Sequence, residues 1–267
     1  MVDLALKEDK VKLGPIGQIY AERFKVPLGG PKVSRHARWL GHLKGSWYDI
    51  GSQYGKGAGD LIRWVFDYWF SLGLGGTFMN QEKLDEKHLM EDCYRYEKQI
   101  KLLNLGFIEF MKGIADGASN ELDKSAFSKN CTHYEKILFV NCYQSIYGNH
   151  PDPAAHGTVT PTSSGRVNVS RRPRECTSVA LLPPATSSGK TMVAHNTQLG
   201  LNMGLYAVVY TASLKGLNKF WSIAPAGVVC WNVVANDKGV IIAEMQGGNG
   251  DEAFGVPTWL IQIDAIT

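Results

Sequence analysis

The chain has 267 residues, of which 44% are hydrophobic and 20% charged, with 28 basic and 25 acidic side chains and a net charge of +3. That length suits one large domain or two small ones with a sizeable core. The ordinary composition excludes wholesale disorder, a collagen-like repeat and a disulfide-dense secreted scaffold, and the near-balanced charge gives no field that demands nucleic acid.

No run of about 18 apolar residues is present, so no transmembrane segment is expected. Met1–Lys12 is charged and lacks the apolar core of a secretory signal, which predicts a cytoplasmic location. In that light the Asn-x-Ser/Thr sequons at Asn130 and Asn168 carry little weight. The five cysteines (Cys93, Cys131, Cys142, Cys176, Cys230) are odd in number and include no C-x-x-C pair, so no structural zinc site is expected and at least one thiol stays free. The histidines and acids show no metal-ligand spacing either; neither a metal nor a cofactor is expected.

The front of the chain, residues 1–148, reads as helical. Trp47–Phe70 is dense in aromatics at near-helical spacing. Leu89, Cys93, Tyr96, Ile100 and Leu103 recur at steps of four and three, with Glu91, Arg95 and Lys98 between them. Phe107–Leu122 is framed by Gly106, Gly113 and Gly117, poor for a free helix but suited to close packing by a neighbouring element. Lys136–Tyr147 is a further apolar segment. The composition then changes. Residues 149–175 hold four of the eleven prolines, together with Arg166, Arg171, Arg172 and Arg174, and no apolar period survives; the stretch reads as a flexible linker.

From 176 to 267 the pattern is β. Cys176–Leu182 and Thr191–His195 read as a hairpin joined through Pro183-Pro184 and Ser187-Ser188-Gly189. Tyr206–Ala212, Lys219–Ile223, Val228–Val234 and Val240–Met245 are further strand candidates, with a turn at Asn236-Asp237-Lys238-Gly239. Trp259–Ile266 begins another apolar run. Helices followed by an antiparallel sheet predict a layered α+β fold.

The chemistry points to the junction Arg174-Glu175-Cys176-Thr177-Ser178, where a polar segment meets an apolar strand. A cysteine there is either strand core or a nucleophile. Cutting the bond before Cys176 would give one residue both a thiol and a free α-amine, the latter with a pKa of about 7.7–8.0. Such an amine serves as the thiol's own general base.

These residues resemble the N-terminal-nucleophile hydrolases of the acyl-coenzyme A:6-aminopenicillanic acid acyltransferase type, peptidase family C45. The resemblance runs through several blocks in order: Leu43 to Gly55, Glu109 to Ala118, Ile137 to Tyr143, Cys176-Thr177-Ser178 with Gly189 to Asn196, Asn236 to Val240, and Gly255-Val256-Pro257. It covers about residues 40–260. It implies a four-layer αββα sandwich, made as a zymogen and cut by autoproteolysis between Glu175 and Cys176. It also implies an amidase or acyltransferase in which the Cys176 thiolate attacks an amide carbonyl, forming an acyl-enzyme that water or an amine then resolves. The implied partner is a small linear N-acyl amide. For the oxyanion, the family pattern points to the side-chain amide of Gln246, with Asn232 as the alternative.

Three departures are visible. Glu175 stands where the family places glycine. The run His195-Asn196-Thr197-Gln198 puts Gln198 where an acid is usual. Ala194-His195-Asn196-Thr197 instead resembles the phospholipase B-like branch, which would bring His195 and Asn196 close to the amine. The resemblance further implies that the sandwich is C-terminally incomplete, since the chain stops soon after Pro257. A phospholipase B-like acyl hydrolase and an uncut, inactive acyl-binding relative are the rival readings.

Overall fold

The structure is a computed structural model that describes residues 37–70, 86–125, 130–149, 160–161, 167–168, 177–196, 206–231, 233–244 and 255–267. Strand β1 (Arg38–Lys44) leads into helix α1 (Trp47–Trp64), which continues as a π-helical turn over Val65–Phe70. Ser46 starts α1 with a capping box. Its hydroxyl accepts the Asp49 N–H at 3.2 Å, and the Asp49 carboxylate accepts the Ser46 N–H at 2.9 Å, satisfying two donors that the first turn would otherwise leave open. Helix α2 (Glu86–Leu103) turns Cys93, Tyr96 and Ile100 into the core, in line with the spacing in the sequence. Asn104 then caps α3 (Leu105–Gly117) by accepting the Gly106 N–H at 2.9 Å. The short α4 (Ser119–Leu122) and α5 (His133–Asn149) follow.

The glycines explain how α1 and α3 meet. A Cβ on Gly51 would lie 2.2 Å from the Phe110 carbonyl oxygen, and one on Gly55 2.3 Å from that of Ile114. In return, a Cβ on Gly113 would lie 2.2 Å from the Tyr48 carbonyl oxygen and one on Gly117 2.3 Å from that of Ser52. The two backbones touch because neither carries a side chain at the crossing. The glycine spacing that weakens α3 as a free helix is therefore what lets it pack.

In the segment expected to be a linker, β2 (Thr160–Pro161) and β3 (Val167–Asn168) form one short antiparallel pair. Beyond it, β4 (Thr177–Leu181) and β5 (Met192–Asn196) make the expected hairpin, in the register Thr177↔Asn196 to Leu181↔Met192. The main sheet contains β1, β6 (Ala207–Ser213), β7 (Phe220–Pro225), β8 (Val233–Asn236) and β9 (Ile241–Ala243), in that spatial order. Its last four strands form an antiparallel meander, whereas β1 joins β6 in parallel with a bulge at Gly41, whose φ is +92°. Segments on both sides of residues 149–175 thus build one sheet.

Val208, Tyr210, Phe220 and Ser222 point under the helices. Tyr54 and Phe110 meet the Tyr210 ring edge-on at centroid distances of 5.4 and 6.2 Å, and Trp47 reaches Phe220 at 6.4 Å. The other face carries Trp39, Val209 and Ile223 in one cross-strand row and Trp221 with Ile241 in the next. It is apolar around these rows, polar where His42, Thr211 and Ser213 stand beside Trp221, and only partly covered: Trp39 is 55% exposed and Ile241 39%.

Four expectations change. Arg38–Lys44, inside the stretch read as helical, is a strand. Val228–Val234 is not a single strand, because ladder pairing begins at Val233. Gly227, at φ +93°, turns the chain out of β7, and buried side chains then take over the backbone groups. The Asn141 amide donates to the Gly227 carbonyl and accepts the Val229 N–H, both at 2.8 Å, and the Tyr54 hydroxyl donates to the Val228 carbonyl at 3.1 Å. Val240–Met245 contracts to Ile241–Ala243, with Met245 outside the described residues. Trp259–Ile266 lies in a helix, α6 (Thr258–Ile266), held to β8 by the Asn236 amide donating to the Ile266 carbonyl at 2.8 Å. The same Asn236 accepts the Lys238 and Val240 N–H groups, each at 3.0 Å, which makes the expected turn.

Candidate active site

The hairpin gives the sequence-predicted site its frame. Its first strand starts at Thr177, immediately after Cys176. Cys176, Glu175, Asn232 and Gln246 lie outside the described residues, as does Gln198. His195 and Asn196 are described, and both stand at the open end of the hairpin: Asn196 opposite Thr177, and His195 opposite Ser178.

Strand alternation divides the hairpin into two faces. Thr177, Val179 and Leu181, with Met192, Ala194 and Asn196 across from them, make the exposed face. Ser178 and His195 share the other, and both are half-buried. The Ser178 Oγ lies 2.6 Å from His195 Nδ1. His195 Nε2 is shielded from solvent and has no hydrogen-bond partner among the described residues. Burial lowers the histidine's pKa, because desolvation disfavours the charged ring. The ring is therefore neutral at pH 7, with one nitrogen tied to a hydroxyl and the other open. Sequence reading singled out His195 but not Ser178. Its pairing signal was the hairpin register, which sets the two residues directly opposite each other.

Cys93, Cys131, Cys142 and Cys230 are the cysteines among the described residues. Cys93, Cys142 and Cys230 are buried and form no disulfide among the described residues. Burial pushes the Cys142 and Cys230 thiols well up; Cys93 beside Cys142 adds to the first shift, and the Glu244 charge to the second. Such thiols stay protonated and unreactive. Glu244 is itself raised by burial, against the pull of the Gln262 amide that donates to it at 2.7 Å.

Among the described residues, no group of three or more His, Cys, Asp or Glu side chains is placed to hold a metal ion, and no helix is long and apolar enough to cross a membrane. No family model matches the sequence, and no curated protein matches it.

Proposed function

We propose that the chain is the precursor of a cysteine N-terminal-nucleophile hydrolase or acyltransferase, acting on linear N-acyl amides through a Cys176 acyl-enzyme. One observation carries the reading: the hairpin's first strand begins at Thr177, the residue after the only cysteine that stands between the polar 149–175 segment and the β-rich part. Cleavage before Cys176 would leave a thiol and an amine at the head of a strand that is already paired.

The fold supports the finer αββα reading. Helices α1 and α3 cover one face of the five-stranded sheet, and the opposite face is partly open and carries apolar rows, Trp39–Val209–Ile223 and Trp221–Ile241, of the kind that stacking on a second sheet would use. The C45 resemblance adds the reaction. The thiolate attacks the amide carbonyl, an amide donor such as Gln246 or Asn232 holds the oxyanion, the amine leaves, and water or a second amine releases the acyl group.

Intact-mass measurement and N-terminal sequencing of the purified chain test the proposal. They should find a fragment beginning Cys-Thr-Ser, and Cys176→Ala should abolish both the cut and any amidase activity. A wild-type chain that stays whole over days at pH 7–8 would refute the reading and leave the uncut acyl-binding relative. Activity surviving in Cys176→Ala would refute the nucleophile.

A further inference from the structure

The outer face of the main sheet carries a group of polar side chains that the hydrolase reading does not use. The β1–β6 register sets His42 beside Thr211 and Lys44 beside Ser213, and strand alternation keeps all four on that face. On the other flank of β6, Trp221 stands opposite Thr211. Carrying the same ladder one residue beyond Ala212↔Phe220 sets Lys219 opposite Ser213. His42, Lys44 and Lys219 are exposed, and Thr211 and Ser213 are half-buried, so the group is open to a solute.

The imidazole is held at both ends. Thr211 Oγ1 lies 2.6 Å from His42 Nδ1, and Ser213 Oγ lies 2.9 Å from His42 Nε2. The Thr211 hydroxyl turns its own hydrogen toward the Gly41 carbonyl, at a long 3.5 Å, which leaves its lone pairs for Nδ1–H. In that tautomer the Nε2 lone pair accepts the Ser213 O–H. A hydroxyl within reach of a base, and a third group that orients the base, make the constellation of an activated nucleophile. Partial burial, then the charges of Lys44 and Lys219, hold the His42 pKa below its ordinary 6.5. The ring is neutral at pH 7, as a base must be.

We propose that Ser213 and His42 form a second, esterolytic site on this sheet face, taking small esters that carry an anionic group on the acyl side. The site is independent of Cys176. Ser213 is the nucleophile, His42 the base, and Thr211 a positioning residue. Neither Lys44 nor Lys219 has an ion-pair partner among the described residues. The leaving group must face His42, which protonates it, so the acyl chain runs the other way, past Trp221 toward Lys219. Lys44, paired with Ser213, stands where a positive charge favours the oxyanion. Thr211 is neutral and does not stabilise an imidazolium as a carboxylate does, which suits the pair to activated esters rather than amides.

The step balances. Ser213 Oγ gives its proton to His42 Nε2 and bonds to the ester carbonyl carbon. The bond from that carbon to the leaving oxygen breaks, and the imidazolium protonates that oxygen. Water then attacks the acyl-serine, giving its proton to His42, and Ser213 Oγ leaves and takes the proton back.

The full-length Cys176→Ala chain tests this with the amidase nucleophile removed. The probes are mono-(4-nitrophenyl) adipate and the uncharged 4-nitrophenyl hexanoate, read as nitrophenolate released above the protein-free rate. The adipate should be cleaved faster than the hexanoate, and Lys219→Met should bring the ratio toward one. A positioned base contributes about 10²–10⁴-fold, so His42→Ala should slow release about 100-fold or more. Ser213→Ala should abolish release, and a fluorophosphonate should label Ser213 in peptide mapping. Thr211→Val should slow release less than His42→Ala does, and Thr211→Ser, which keeps the hydroxyl, should bring it back. No release above the protein-free rate, or equal release with and without the Ser213 hydroxyl, overturns the inference. A parent chain that cleaves both esters equally overturns the anionic substrate class. None of these results bears on the cut before Cys176, which intact mass reads separately.

Discussion

Adding one methyl group at Gly51 should push apart the two helices that carry the core. The new Cβ would sit 2.2 Å from the Phe110 carbonyl oxygen and 3.0 Å from both Gly113 Cα and Ile114 N. All three are backbone atoms and cannot rotate away, so α1 and α3 must separate by roughly 1 Å to restore ordinary contact. Overpacking of this kind costs about 1–3 kcal/mol, against a gain of about 0.8–1.0 kcal/mol from replacing a helical glycine by alanine. Gly59, two turns further along α1, isolates that gain. Its Cβ would meet Glu121 Cγ at 3.4 Å and Ala118 Cα at 3.5 Å, ordinary contacts. Gly59→Ala should therefore stabilise the chain by up to about 1 kcal/mol, whereas Gly51→Ala should destabilise it by up to about 2 kcal/mol net. Gly113→Ala should resemble Gly51→Ala, and the double variant should cost less than the sum, since helices parted by one methyl have already relieved the second clash. Urea denaturation at equilibrium measures all four. Equal midpoints for Gly51→Ala and Gly59→Ala would mean that the crossing is not backbone-to-backbone.

Asn141→Ala removes the amide that satisfies the Gly227 carbonyl and the Val229 N–H; leaving such buried groups open costs about 1–3 kcal/mol each at most, so a loss of roughly 2–4 kcal/mol is expected in the same titration, and an effect below the error of the fit would refute the bridging role. The Arg38–Asp60 pair should give an acid-side signature. Burial alone would raise the Asp60 carboxyl, but the Arg38 guanidinium, bonded to it at 2.5 and 2.9 Å, outweighs burial and holds it below its ordinary 3.8. Its contribution is complete above that value and fades as pH falls through the depressed one; both side chains are about one-third exposed, so the pair should be worth no more than about 1 kcal/mol, seen as a wild-type advantage over Asp60→Asn at pH 7 that vanishes near pH 2.

The helices were legible because their apolar period survives in the sequence: Cys93, Tyr96 and Ile100 recur at helical steps and all three are buried. What the sequence concealed is non-local. Arg38–Lys44 forms a strand through parallel pairing with β6, some 170 residues later, and its own composition carries no strand density. Val228–Trp231 has strand composition, yet its backbone groups are taken by the side chains of Tyr54 and Asn141, on two helices remote in sequence, and of Tyr210 on β6. Trp259–Ile266 is apolar on most sides, and a short continuous apolar run does not distinguish helix from strand. Its helical state follows from docking on β8 through Asn236 and on Trp231, whose ring stacks on Trp259 at 5.4 Å.

For the site, the sequence marks the place where a cysteine stands between a polar segment and an apolar run, but the neighbours of that place are a matter of register. Cys-Thr-Ser and Ala-His-Asn are separated by a turn containing two prolines and two further serines, and a slip of one residue would set His195 against Thr177 or Val179, on the opposite face. The turn from Leu182 to Thr191 fixes the register. Thr186, buried within it, donates its hydroxyl to the Lys190 carbonyl at 2.8 Å, and the backbone closes through Ala185 N–H to Leu182 O at 2.8 Å and Gly189 N–H to Thr186 O at 3.1 Å. Gly189, at φ +64°, is the residue that lets this loop turn without strain. The length and conformation of that loop, rather than any feature of the serine or the histidine themselves, decide that Ser178 and His195 meet on the half-buried face, where burial can hold the imidazole neutral.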